Sequence, residues 1–574
     1  MSTIAEAVIK GAIGGAGFLA SAYALTRFVV ATPLEIAPQG DTEHKLDVVL
    51  CFDTKMFSQN TVEFFVQMVK KQSHLIITPK TKRLETQAEV GDKSKNTRAI
   101  TYYLVGATHA TLMAIKQKKE RVLYGDVSEE PVPEHFCSGD RIDLIMFELG
   151  RLNVQITHNH STGLDNEIAD DVATIPHPFQ DEEHGLLLQQ AMHSKLLMDH
   201  FPLHDHKERR ELVEMWVKDW KHPQPLYTVR SYFGDEVGFY FGFLGMYTQW
   251  LMPLAAMGLL TFVLDFFPSY AAYGRGVYSL LVTSWATAFL KFWKRRENTL
   301  RNDWGISASD SLVLEPTRPE FFGEKRFDSI EGCYYTFYSS KSRAKRYLLT
   351  TLATIAAMAG VTVLMILYCY MEEWFAVAFV PATGWDGFWE YVYLVPSIIY
   401  SVVVLYVDAK YSELATFLTQ FENHRTESDF ANARVLKLAL FYFVNNFGFL
   451  FYVAFKTRDM EQLVPFISKR SSLKAEAGKL AKELRKKNAI VREVDAELLF
   501  PSYDGTFDDY LEMFVQFGQV TLFAAAYPLA SLWSLCNNIM EIRSDGFKLC
   551  VTFRRSHRTP TQGIGTWFPE KTLS

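Results

Sequence analysis

The chain of 574 residues carries a formal net charge of −6, which gives no basis for a nucleic-acid partner. Its 44 Phe, 27 Tyr and 11 Trp make an aromatic share of 14%, and its charges cluster so as to leave long uncharged windows, the composition of a soluble part joined to a membrane part. The six cysteines, at positions 51, 137, 333, 369, 536 and 550, show no CxxC or zinc spacing and read as buried thiols rather than a disulfide framework.

Residues 1–43 form an N-terminal extension whose stretch KGAIGGAGFLASAYALTRFVVA is apolar, short and rich in Gly and Ala. It has two readings, a membrane contact and a poorly ordered extension. GAIGGAG is not a dinucleotide fingerprint, because no strand precedes it and no ribose-binding acid follows at the right distance. Residues 44–232 read as a cytoplasmic α/β domain, expected to be ferredoxin-like. KLDVVLCFD and HLIITPKT are expected strands, ITYYLVGATHATLMAIKQKKE a strand turning into a helix at Gly106, and RIDLIMFELGRLNV further core. Asp205 and Glu208 have capping-box spacing, and Leu212, Met215, Trp216 and Trp220 line one face of the helix that follows. His158, His160, His177, His200, His204 and His206 lack a repeated i,i+4 pair or carboxylate partner, so they read as exposed loop and cap residues, not a metal site.

Hydropathy changes near residue 235, and residues 233–460 read as membrane spans one to five. Apolar runs approach or exceed bilayer thickness at 244–267, 276–293, 347–370, 391–407 and 435–455. The basic clusters KFWKRRENTLR and KSRAKR fall on one side of these spans, and the acidic, aromatic loop between MEEWFAVAF and GWDGFWE on the other. The positive-inside rule then puts the N-terminal domain in the cytoplasm, with the first span running outward and the fifth ending outside. Residues 461–506 form a basic linker, helix-prone from Lys469 to Arg492, that is either solvated or laid on anionic lipid. Residues 507–550 form an acidic membrane hairpin, and 551–574 a short tail.

Several stretches together resemble the anoctamin family: VRSYFGDEVGFYFGFLGMYTQWLMPLAAMGL, FLKFWKRRENTLRNDWG, LVPSIIYSVVV, LTQFENHRTESDFANARVLKLALFYFVNNFGFLFYVAF and FDDYLEMFVQFGQVTLFAAAYPLASLWSLCNNIMEIRSDGFK. FPLHD and GTFDDYLE are most similar to its tenth vertebrate branch. The resemblance runs in order over about residues 95–565. It implies a homodimer of ten-span subunits, each with a calcium site beside a groove that conducts chloride or other small ions, moves phospholipids between leaflets, or both. The fourth and fifth spans would border that groove, with Tyr400, Tyr406, Glu422 and Arg425 near its ends.

The acids of the hairpin fit this expectation physically as well. Asp509 and Glu512 are spaced i,i+3, and Glu541 and Asp545 i,i+4, so each pair shares a helix face. A carboxylate in lipid is costly unless compensated, which makes such residues functional candidates. Folding about Tyr527 and Pro528 brings all four to one membrane side, and four hard oxygen ligands suit calcium. The alternative is that they mark interfacial helix ends. The four positions match the family's calcium-ligand acids on its seventh and eighth helices, Asp509 being the shorter acid where many members have Glu.

Two departures from the family pattern stand out. The fifth span runs directly into the basic linker with no sixth span, and the chain stops soon after IGTWF, before the family's last two spans and dimer-forming C-terminus. The membrane part is thus expected to be incomplete relative to the ten-span fold, as a splice product or incomplete gene model, with transport impaired and a homodimer disfavoured. The linker's basic charge on the outer side, against the positive-inside rule, supports that expectation. A non-conducting tether or a modulator of a full-length anoctamin is the alternative function. No GxSxG, HExxH or P-loop occurs, so an enzyme is not expected. The protein is expected to be integral and multi-pass, in the plasma membrane or the endoplasmic reticulum.

Overall fold

The computed structural model describes residues 46–53, 57–80, 100–124, 136–152, 187–219, 222–306, 318, 320–328, 333–379, 395–452, 497, 500–503, 505–558, 561 and 563–567. The extension 1–43, most of the basic linker including Lys469 to Arg492, and His158, His160 and His177 lie outside the described residues.

The N-terminal part is a four-stranded antiparallel sheet of order β2-β3-β1-β4, formed by β1 (Leu46–Asp53), β2 (Ile76–Lys80), β3 (Ile100–Gly106) and β4 (Leu197–Pro202). α1 (Gln59–Gln72) follows β1, and α2 (His109–Tyr124), α3 (Ser138–Arg151) and α4 (Leu187–His193) lie between β3 and β4. Alternation along β1 divides its side chains between two cores. Val48, Leu50 and Phe52 pack with Phe65 and Val69 of α1 and Ile142, Ile145 and Leu149 of α3. Val49 and Cys51 join Tyr102, Leu104, Phe201 and Leu203 on the opposite face. The expected strands are therefore present, and the RIDLIMFELGR stretch is helix.

Two local expectations change. Asp205 caps α5 (His206–Leu212) by accepting from the Lys207 and Glu208 amides at 3.0 and 3.1 Å. Glu208, however, turns to the N-terminus of α3, where it accepts from the Ser138 amide at 2.9 Å and from the Ser138 hydroxyl. Beyond α5 the helix widens into a π-helix, Val213–Lys218, which rotates the following side chains by part of a turn. Trp216 is thereby fully buried while Met215 is left exposed.

Long helices follow: α6 (Leu226–Phe233), α7 (Asp235–Leu264), α8 (Pro268–Asp303), α9 (Ser340–Phe379), α10 (Val395–Phe421) and α11 (Glu427–Tyr452). Gly234, at φ 99°, separates α6 from α7, and its Cα lies against the backbone of Arg558. The five expected apolar runs fall on α7 to α11, except 265–267, which forms the turn before α8, and 391–394 and 453–455, which lie outside the described residues. Among the described residues, two helices are long and apolar enough to cross a membrane, Asp235–Leu264 with mean hydropathy 1.3 and Ser340–Phe375 with 2.2. Thirty residues of helix extend about 45 Å, beyond the roughly 30 Å of a hydrocarbon core. The hairpin consists of α12 (Phe507–Leu522) and α13 (Ala530–Phe547), the latter continuing as a π-helix, Lys548–Thr552.

Helices α6, α7, α8, α12 and α13 share one aromatic core with Trp216, centred on Phe243, Tyr247, Phe289 and Trp293. α9, α10 and α11 share another, where Tyr411 and Phe441 stack with centroids 3.7 Å apart. A two-stranded ribbon, β5 (Glu324–Asp328) with β6 (Cys333–Phe337), connects α8 to α9. Asn423, in the α10–α11 turn, exchanges hydrogen bonds with the Phe322 backbone at 3.2 and 2.8 Å. The two connections thus sit at the same end of the helices.

After α13 the chain returns to the N-terminal sheet as a strap, residues 553–558. Arg555, buried to 2% exposure, donates to the carbonyls of Leu203 at 3.1 Å and Tyr232 at 2.7 Å, and to Ser138 Oγ at 3.0 Å. Arg554 pairs with Asp199 at 2.7 Å, and Arg558 with Asp143 at 2.8 Å. His204 is buried under this strap, which corrects its reading as an exposed histidine.

Candidate metal centre

The acidic hairpin meets the start of α7. Thr506, just before α12, donates to Glu236 Oε1 from its amide at 3.1 Å and its hydroxyl at 2.8 Å, which joins the beginnings of the two helices. Asp509 follows in the first turn of α12, where a carboxylate is favoured by the helix dipole, and accepts from the Tyr503 hydroxyl at 2.8 Å. Glu541 and Asp545 stand near the C-terminal end of α13, where the dipole opposes them. Asp545 is buried and accepts from the Tyr240 hydroxyl at 2.8 Å and from Lys548 Nζ at 2.5 Å. Glu541 accepts from Asn537 Nδ2 at 2.8 Å.

Three of the four expected acids share two neighbours. Asp509, Glu541 and Asp545 all lie within electrostatic range of the Tyr240 hydroxyl and of Lys548. Glu512 lies on α12 about one turn beyond Asp509 and is half-buried. Among the described residues, no three or more His, Cys, Asp or Glu side chains stand close enough together to hold a metal ion.

The donor chemistry nevertheless suits a hard cation. Asn538, one helical turn before Glu541, is fully buried, and neither its Oδ1 nor its Nδ2 has a hydrogen-bond partner among the described residues. Gln516 Oε1, one turn beyond Glu512, is buried and unpartnered as well. Orphaned amide oxygens beside carboxylates, with no sulfur or imidazole among them, form the all-oxygen set that calcium prefers. Sequence reading found the acids but missed Lys548, Tyr240, Tyr503 and Asn538. The Asp545–Lys548 spacing of i,i+3 was a visible signal for the lysine. Tyr240 stands 305 residues from Asp545, and no local pattern connects them.

Long apolar helices packed on two aromatic cores, with acids held between them, define a class, a helical membrane protein. The family described as "Anoctamin: Calcium-activated chloride channel" matches residues 229–464 and 457–570, and the chain belongs to this family. It is 34% identical to anoctamin-10 of Mus musculus over 416 residues, covering 66% of this chain and 60% of that one. Against anoctamin-10 of Danio rerio it is 34% identical over 410 residues, covering 67% and 62%. Against anoctamin-7 of Homo sapiens it is 28% identical over 559 residues, covering 77% and 59%. The chain thus spans about three fifths of the length of these relatives.

Proposed function

We propose that the protein is a calcium-regulated membrane transport protein that carries chloride or other small ions, phospholipids, or both. Asp509, Glu512, Glu541 and Asp545 are the residues that would hold calcium, with Asn538 as a neutral oxygen donor. The observation that carries this reading is Asp545, buried and bonded to both Tyr240 and Lys548, with Asp509 and Glu541 within electrostatic range of the same two groups. Bound calcium would supply two positive charges among acids that repel one another in its absence, and so favour one arrangement of α12 against α13. A multi-pass topology with the site facing the cytoplasm is part of the proposal. It is supported by the contact of α12 with the first turn of α7 and by the shared end of the α8–α9 and α10–α11 connections. The sheet order β2-β3-β1-β4, with helices after β1 and β3, supports a ferredoxin-like reading of residues 44–232.

The test is calcium-stimulated halide flux and lipid scrambling in liposomes carrying the purified chain. Glu541→Gln is expected to shift the calcium dependence at least tenfold. Glu324→Gln, at a side chain 78% exposed on β5, is expected to leave it unchanged. Equal calcium sensitivity in both variants would remove the site, and no stimulated transport by the wild type would favour a tether or modulator.

A further inference from the structure

The calcium reading leaves one cation of the protein itself unexplained. Lys548 stands at the first position of the π-helix beyond α13, with Nζ 2.5 Å from Asp545 Oδ1 and also within electrostatic range of Asp509 and Glu541. The carboxylate it contacts is 4% exposed, whereas its own side chain is 52% exposed. The lysine side chain is therefore the more exposed partner of the pair, on a flexible stem. The other oxygen of Asp545 is taken by Tyr240, so a second cation approaching this carboxylate meets the ammonium first.

We propose that Lys548 is a tethered competitor for the metal centre. In the calcium-free protein its ammonium occupies the cation position at Asp545, offsets part of the repulsion among the three acids and holds α13 in register with α12. An arriving calcium ion displaces it, and the side chain swings into solvent, where it is fully hydrated. Breaking this ion pair opposes calcium binding, so Lys548 sets the threshold concentration at which the site fills. The inference rests on the calcium reading of the site and adds a residue that tunes it without being a ligand.

The test is thermal melting and isothermal calcium titration of the purified full chain in detergent, for wild type, Lys548→Gln, Lys548→Arg and Asp545→Asn. Lys548→Gln is expected to melt at a lower temperature than wild type in chelator, because the acids lose their counter-charge. It is also expected to bind calcium about three- to tenfold more tightly, as the loss of one partly exposed ion pair allows. Lys548→Arg keeps the charge and is expected to stay close to wild type in both readouts. If Lys548→Gln binds calcium as wild type does, or more weakly, the competitor role is overturned while the site stands. If wild type and Asp545→Asn respond to calcium alike, the site itself falls, and the competitor role with it.

Discussion

The imidazole of His204 meets the Tyr232 hydroxyl at Nδ1 (2.9 Å) and the Phe553 carbonyl at Nε2 (3.2 Å). A carbonyl only accepts, so Nε2 carries the proton and Nδ1 accepts from the tyrosine. The ring is neutral, and burial, followed by the charges of Arg209 and Arg555, holds its pKa well below the usual 6.5. The linkage sign follows: below 6.5 the unfolded chain takes up a proton that the folded one refuses, so stability falls as pH falls. His200, lowered to about 4 by burial and by His557, acts in the same direction. Asp47 and Asp143, raised by burial from 3.8 to about 6, act oppositely between those values. Comparison with a variant isolates the one ring. His204→Gln is expected to flatten the loss of melting temperature between pH 6.5 and 5, by up to about 1.4 kcal/mol per pH unit. Parallel curves for wild type and variant would show that the ring is not held neutral.

Among the elements, α7 and the hairpin approach each other closely. A Cβ on Gly258 would stand 2.3 Å from the Pro528 carbonyl oxygen and 2.7 Å from Ser531 Oγ, beside the bond between Tyr278 and Ser531. Between helices in lipid the hydrophobic effect offers little, and small residues that allow backbones to approach provide the attraction. Gly258→Ala is expected to lower stability by about 1–3 kcal/mol through forced separation. Gly276→Ala on α8, where nothing lies within 4 Å, is the control that should melt as wild type. Equal melting of the two would mean that the hairpin docks by other contacts. The helices themselves were legible because each apolar run is long and bounded by charge, and β1 because its apolar residues continue through both faces. The Asp545–Lys548 pair was within reach of local spacing. The Tyr240–Asp545 bond was not, because pairing across 305 residues depends on how α7 and α13 pack. Nor was the widening at Val213–Lys218, where the backbone departs from the period by which a helical face is read.

At the scale of the molecule, the helices and the basic clusters imply an orientation that labelling can read. Single cysteines introduced at 320–328 are expected to resist a membrane-impermeant reagent added outside cells, and those at 376–388 to react. The reverse pattern would invert the topology and put the acidic site on the outer side. The strap at 553–558 has a consequence for how the protein is made. The groups that receive Arg555, on Ser138, Leu203 and Tyr232, precede it by 417, 352 and 323 residues. At ordinary rates of translation, with N-terminal units folding first, this is a delay of roughly 20–80 s. Throughout that interval the young sheet unit carries an unfilled cleft of carbonyls and carboxylates, which the segment beyond the hairpin fills. A nascent chain whose hairpin has failed to fold keeps that cleft unfilled, so the junction closes only once the helical part is in place.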